Sequence, residues 1–299
     1  MIKHERLETN SGLLLLFIMV IISIGGLIEI VPLFYIDDSI EEVKKEVPMY
    51  ELDENFNYVT DKRGRPVPVY ATDDNGEFLL DARKRKVQAT QPVDAVRPYT
   101  PLEMLGRNIY VAEGCYNCHS QQIRPMQDEF ERYGYYSLAA ESQYDRPFQW
   151  GSRRIGPDLA RVGGKMDNQW HVNHLYRPKS EEPDSIMPAY PWLLKEKLDV
   201  ETVGQHMKAL RLAGVPYSAN MDEYKANLEQ FGKEVADLLH IDNAKKNLVE
   251  EAKEIRKNYI HKDKIDEISK MDALVAYLQV LGTMVEFKQD QGVEFSKFR

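Results

Sequence analysis

The chain of 299 residues holds two cysteines, and both fall in Cys115-Tyr116-Asn117-Cys118-His119. Cys-x-x-Cys-His is the attachment pattern of a c-type haem. The spacing has a chemical reason. Each thiol adds to one of the two vinyl groups on the macrocycle edge, and two intervening residues let both sulfurs reach. The next residue then places its imidazole under the iron as an axial ligand. A dithiol enzyme does not require the histidine, and it usually sits on a βαβ pattern that the sequence lacks. A structural disulfide is the other reading set aside. The motif therefore predicts one covalent haem c on Cys115 and Cys118, with His119 on the iron.

A second axial ligand must come from elsewhere. The methionines after the motif are Met126, Met166, Met187, Met207, Met221, Met271 and Met284; the histidines are His171, His174, His206, His240 and His261. Met207 and Met271 lie on apolar helix stripes and Met221 begins another, so they read as core. Met187 stands in Ser185-Ile186-Met187-Pro188-Ala189-Tyr190-Pro191-Trp192, where the prolines stiffen an extended loop and no helix consumes the thioether. Met187 is the expected ligand. His171 and His174 read as structural residues on a local helix, with a minor claim to ligation. A thioether favours Fe(II) relative to a second imidazole and so raises the reduction potential. Arg153, Arg154 and Arg161 are candidate partners for the haem propionates. Trp150, Tyr190 and Trp192 are candidate walls against water.

Several elements must position these groups. Thr100-Pro101-Leu102-Glu103 opens a helix with a capping box and proline at the first turn. Its face of Leu102, Leu105 and Ile109 leads straight into the cysteines. The stretch 121–191 is rich in Pro, Gly, Arg and aromatics, has little periodicity, and reads as loops wrapped around something. Val203, Met207 and Leu210 mark a helix closed by Gly214. Met221, Tyr224, Leu228, Phe231 and Val235 mark a long amphipathic helix; Ala244, Leu248, Ala252 and Ile255 mark a second. Met271, Leu274, Val275, Leu278 and Leu281 form a final stripe ended by Gly282. Before all of these, 36–95 is polar and irregular. There, Asp73-Asp74-Asn75-Gly76 between β-prone runs signals a hairpin, and Arg63-Gly64-Arg65-Pro66 another turn. No internal repeat stands out.

Residues 13–31 carry one ionisable group, Glu29, near their end. At about 1.5 Å per residue they reach about 28 Å, enough for a hydrocarbon core of about 30 Å. Gly25-Gly26-Leu27-Ile28-Glu29 offers no clean cleavage site, so an uncleaved anchor is preferred to a signal peptide. Lys3 and Arg6 before the span balance Lys44 and Lys45 after it, so charge alone does not orient it. Haem c is attached on the outer face of a bacterial cytoplasmic membrane. The motif thus implies a periplasmic haem domain with the N-terminus inside.

Composition sets the limits around this reading. A net charge of −9 argues against a nucleic-acid partner and leaves room for docking of a basic protein. A mean hydropathy of −0.51 excludes a polytopic membrane protein. Two cysteines exclude a disulfide-rich scaffold and any four-cysteine zinc or iron–sulfur site.

The sequence also resembles a specific family, subunit II (the membrane-anchored mono-haem cytochrome c subunit) of cbb3-type cytochrome c oxidases. The matching segments are Gly26-Leu27-Ile28-Glu29-Ile30-Val31-Pro32-Leu33-Phe34, Arg97-Pro98-Tyr99-Thr100, Gly106-Arg107-Asn108-Ile109-Tyr110 and Glu113-Gly114 through His119-Ser120-Gln121. Further ones are Glu131-Arg132-Tyr133-Gly134, Gly156-Pro157-Asp158-Leu159-Ala160-Arg161-Val162-Gly163-Gly164, Met187-Pro188-Ala189-Tyr190-Pro191-Trp192-Leu193 and Met271-Asp272-Ala273-Leu274-Val275-Ala276-Tyr277-Leu278-Gln279. They cover residues 11–35, 96–217 and 271–283.

The resemblance implies a mainly α fold: one N-terminal transmembrane helix and a class I cytochrome c-like haem domain. In that class a Gly-Pro loop turns its carbonyl to the proximal histidine, which assigns Pro157 to the His119 ring. The resemblance makes His119 and Met187 the axial ligands. It implies an electron taken from a dihaem cytochrome c subunit or a soluble cytochrome c. That electron passes to haem b of a haem–copper catalytic subunit that reduces oxygen. Some members hold calcium near the haem edge, where Ser120 is the matching position. The expected layout is a cytoplasmic 1–10, an anchor at 11–35, a periplasmic insertion with a β-hairpin at 36–95, and a cytochrome c domain at 96–299. A helical insertion at about 221–260 completes it. Both insertions read as surface decoration. The alternatives are the small mono-haem subunit of a nitric oxide reductase, a free membrane-tethered shuttle, and a haem-based gas sensor.

Overall fold

A computed structural model describes residues 4–32 and 40–287. Lys3 and the 33–35 end of the anchor range lie outside the described residues. By contacts the chain divides into Met1–Glu42 and Val43–Arg299.

The first unit is built on helix α1, Ser11–Glu29. The Asn10 side chain accepts from Leu13 N at 3.1 Å and starts it. Its mean hydropathy reaches 2.6, and it is the one described helix long and apolar enough to cross a membrane. Ile21, Ile22, Leu27 and Ile28 are all exposed, as a lipid-facing surface requires.

The second unit starts with strands β1, Lys44–Pro48, and β2, Thr90–Asp94, paired antiparallel. Between them the expected turns exist: Thr72 bridges Phe78, and Thr60 bridges Pro66. The absence of a repeat, however, is corrected. One turn recurs at Asp53, Asp61, Asp73 and Asp81. Each aspartate Oδ1 accepts from the backbone N–H groups two and four residues on, at 2.7–3.0 Å. The residue three after each aspartate has positive φ: Phe56 at 61°, Gly64 at 75°, Gly76 at 82° and Lys84 at 58°. This is a three-residue hairpin loop with a left-handed closing residue.

The turns are grouped into two lobes. Glu51, Val59 and Val67 close a ring of three backbone hydrogen bonds, each 2.9 Å, and Ala71, Leu79 and Val87 close another. Met49, Val69 and Ala89 join the stems in a third ring. The lobes also share an aromatic pair. Tyr50 meets Tyr58 edge-on at 5.6 Å, and Tyr70 meets Phe78 edge-on at 6.0 Å. Asn55 and Asn75, Arg63 and Arg83, Arg65 and Arg85, and Val67 and Val87 also correspond between the lobes, although the left-handed position is glycine in only two of the turns.

The helical core comprises α2 (Pro101–Ala112), α3 (Gln127–Tyr133), α4 (Asn168–Tyr176), α5 (Val203–Leu212), α6 (Met221–Phe231), α7 (Lys233–Leu239), α8 (Ala244–Lys257) and α9 (Lys270–Val280). Helices α3 and α4 fall inside the stretch read as loops. Helix α9 is buried on every side from Met271 to Leu278, not along a stripe. It crosses α2 closely. A Cβ on Gly106 would lie 1.9 Å from the Ala273 carbonyl oxygen, so only glycine fits there.

Two further readings are corrected. The long helix expected through 221–235 breaks at Gly232, whose φ is 83°. The segment 221–260 is also not surface decoration. Phe231, Leu239, Leu248 and Ala252 are buried in the same apolar core as α2 and α9. Arg256 of α8 pairs with the buried Asp272 of α9 at 2.7 Å. The first hairpin lobe packs on this segment in turn: the Phe56 and Tyr224 rings lie 6.2 Å apart, and Lys233 sits over Tyr58. The capping box expected at the start of α2 is present, and it is tied to α8. Glu103 accepts from Thr100 N at 2.8 Å, and the Thr100 hydroxyl donates to Glu251 of α8 at 2.9 Å.

Candidate haem site

Helix α2 delivers the cysteines. Gly114, with φ of 71°, turns the chain out of the helix into a tight 3-10 turn, Cys115–Asn117. Cys118 N and His119 N both donate to the Cys115 carbonyl, at 3.1 and 3.0 Å. One turn thus gathers both thiols and the imidazole. The cysteines are free, not a disulfide. Burial, and next the Glu113 charge, pushes the Cys115 thiol up to about 12. A dithiol catalyst needs the opposite shift, because the thiolate is its nucleophile.

Cys115, Cys118 and His119 open onto a cavity of about 790 Å³, within the size range of cofactor pockets. Leu274 and Leu278 of α9 supply apolar wall. His119 Nδ1 lies 2.7 Å from the Pro157 carbonyl oxygen. A carbonyl only accepts, so Nδ1 is the protonated nitrogen, and Nε2 keeps a free lone pair for a metal. Gly156 packs flat against the ring. A Cβ there would lie 2.2 Å from His119 Cε1.

The cavity sorts the candidates for the second ligand. Met166, Met187, His171 and His174 line it. Met207 and Met271 are fully buried in the core, Met126 and Met221 are exposed elsewhere, and Met284 lines a separate small cavity. Met187 is half-buried against the core. Its loop is held by Tyr190 N donating to the Leu175 carbonyl at 2.8 Å. His171 and His174 stand one turn apart on α4, and His171 Nε2 and His174 Nδ1 are buried without a hydrogen-bond partner. Burial, and then His174, pushes His171 down to about 4, so that ring stays neutral. Their expected role was structural with a minor claim to ligation, and their spacing places them on one face of α4 without telling cavity wall from core.

The remaining candidates divide. Arg161 lines the cavity, but both terminal nitrogens are bound by Glu141, at 2.6 and 2.8 Å, and its Nε is buried without a partner. Arg154 is turned to Ser120, Gln122 and Glu129. Arg153 is exposed. Tyr190 lines the cavity, and Trp192 packs edge-on against it at 5.2 Å. Trp150 instead stacks on Phe148 and lines the other cavity. The Ser120 hydroxyl is occupied: it donates to Asp158 at 2.5 Å and accepts from Arg154 at 2.7 Å. A guanidinium is a poor neighbour for calcium, and among the described residues no cluster of three or more metal-ligating His, Cys, Asp or Glu forms.

Two thiols on one turn, an imidazole with its outer nitrogen fixed, a thioether in the same cavity and an apolar wall fit a haem c. A family model described as cytochrome c oxidase, mono-heme subunit/FixO matches residues 4–59 and 83–285. The chain belongs to this family. No curated protein matches the chain. The FixO match is interrupted over 60–82, which lies within the repeated turns at Asp61 and Asp73. It runs without a break through α6, α7 and α8. As a FixO chain it is the mono-haem, electron-transfer subunit of a cytochrome c oxidase of cbb3 type.

Proposed function

We propose that this chain relays electrons into the oxidase through one haem c bonded to Cys115 and Cys118. It accepts an electron from a c-type cytochrome, either a dihaem subunit or a soluble donor, and delivers it to haem b of the oxygen-reducing catalytic subunit. The haem c supplies reversible one-electron exchange at iron. His119, through Nε2, and Met187, through its thioether, would hold the iron of that haem. Pro157 fixes the His119 ring, and Leu274, Leu278 and Tyr190 exclude water. No side chain performs acid–base or nucleophilic chemistry.

The observation that carries this reading is the His119–Pro157 hydrogen bond, which commits Nε2 to a cavity shared with Cys115, Cys118 and Met187. Helix α1 anchors the chain in the bacterial cytoplasmic membrane, N-terminus inside, with the haem domain in the periplasm. The net charge of −9 suits a basic donor. Purification from native membranes tests the assembly. The expected result is a stable complex with b-type haem and copper; recovery only as a single-subunit cytochrome contradicts it.

A further inference from the structure

The loop 156–160 runs beside residues 118–122. Gly156 N donates to the Cys118 carbonyl at 3.0 Å, and Leu159 N donates to the Ser120 carbonyl at 2.9 Å. The Pro157 carbonyl that meets His119 lies between these two bonds. The next side chain, Asp158, is fully buried. Its Oδ2 accepts from Ser120 Oγ at 2.5 Å and from Gln122 N at 3.0 Å, and its Oδ1 accepts from Ala160 N at 2.8 Å. Arg154 Nε donates to the same Ser120 hydroxyl at 2.7 Å, and its Nη1 pairs with Glu129 at 2.8 Å.

We infer that Asp158 is a positioning residue for the axial histidine: its buried carboxylate ties the residues after His119 to the residues after Pro157 and so sets the hydrogen bond at His119 Nδ1. This rests on the haem ligation proposed above. Ser120 directly follows His119, and Asp158 directly follows Pro157. Donor and acceptor of the Nδ1 bond are therefore each one residue from the Ser120–Asp158 contact. Burying a carboxylate is costly unless its oxygens are satisfied. Here both are, and Ala160 N holds the loop from its far side.

The chemical consequence follows from ligand basicity. A firm acceptor at Nδ1 makes the imidazole a stronger donor at Nε2, which favours Fe(III). Loosening that acceptor favours Fe(II) and raises the potential. Asp158→Asn leaves one oxygen where Ser120, Gln122, Ala160 and, at 3.4 Å, Arg154 Nη2 supply four donors. Ser120→Ala removes the hydroxyl's bond to Asp158 and the one it accepts from Arg154, and keeps the carboxylate charge, which separates positioning from the electrostatic effect of the carboxylate.

The test compares wild-type, D158N and S120A complexes by haem staining on denaturing gels, by redox titration, and by the EPR g values of the ferric haem. Both variants are expected to keep covalent haem. At a fixed poise D158N is expected to lower the Fe(III)/Fe(II) ratio about tenfold, equivalent to about 59 mV for one electron. S120A shifts it less in the same direction, and both move the g values. Wild-type potentials and g values in both variants overturn the inference. So does a change in D158N with none in S120A, which would make the carboxylate a charge and not a clamp. If D158N does not assemble, S120A alone decides. Absence of covalent haem from the wild type would instead sink the proposed function, so the two failures are distinguishable.

Discussion

Gly156 approaches His119 so closely that a Cβ would lie 2.8 Å from each ring nitrogen as well as 2.2 Å from Cε1. The ring is tethered on the same side, because Nδ1 is held by the neighbouring Pro157 carbonyl. Gly156→Ala is therefore expected to displace the imidazole. Overpacking of this kind costs about 1–3 kcal/mol. The check is thermal unfolding together with the low-spin haem spectrum; a wild-type spectrum would contradict the close packing.

Met187→Leu is expected to leave the haem covalently attached, since Cys115 and Cys118 are untouched, and to lower the reduction potential. Loss of the near-infrared iron–sulfur charge-transfer band checks it. An unchanged band would move the ligand to Met166, the other methionine that lines the same cavity.

Much of this site was legible in the sequence, because haem attachment constrains neighbouring residues. Cys115, Cys118 and His119 form one motif, and Met187 stood out because flanking prolines removed it from any helix. The start of α2 and the existence of α9 were equally readable, although α9 is buried all round. What was missed depends on long-range packing. The His171–His174 face shows no periodicity that separates wall from core. Asp158 gains its importance from Ser120, 38 residues away in sequence. Arg154 was read as a propionate partner, and its pairing with Glu129 is likewise tertiary. The hairpin repeat was hidden because only the aspartate is common to every turn.

Glu251 sets a pH dependence on the fold. Burial, with the Glu103 charge beside it, pushes its carboxyl up to about 7, against the pull of Arg97 and the bonds from Thr100 and Leu102. The folded state thus binds a proton more tightly than the unfolded state. Stability associated with this group is present at low pH and is lost as pH rises from about 4.5 to about 7, by on the order of 3 kcal/mol. Glu251→Gln stays neutral throughout. Its stability gain over wild type, from denaturant unfolding, is expected to be larger at pH 8 than at pH 5; a pH-independent difference would refute this.

Lys84 holds a φ of 58° that its counterparts Gly64 and Gly76 adopt without strain. A side chain there costs about 1–2 kcal/mol, partly offset by the entropy a glycine loses on folding. Lys84→Gly is expected to stabilise the second hairpin lobe by about 0.5–1 kcal/mol. Slower exchange of the Val87 amide, which donates to Leu79, is the readout.

Electron flow itself offers the most direct test. The fully reduced complex is mixed with oxygen, and haem c absorbance is followed in time. The account predicts that haem c oxidises at least as fast as the complex turns over, and that Met187→Leu changes that rate. A haem c that stays reduced while oxygen is consumed would contradict its place as the relay.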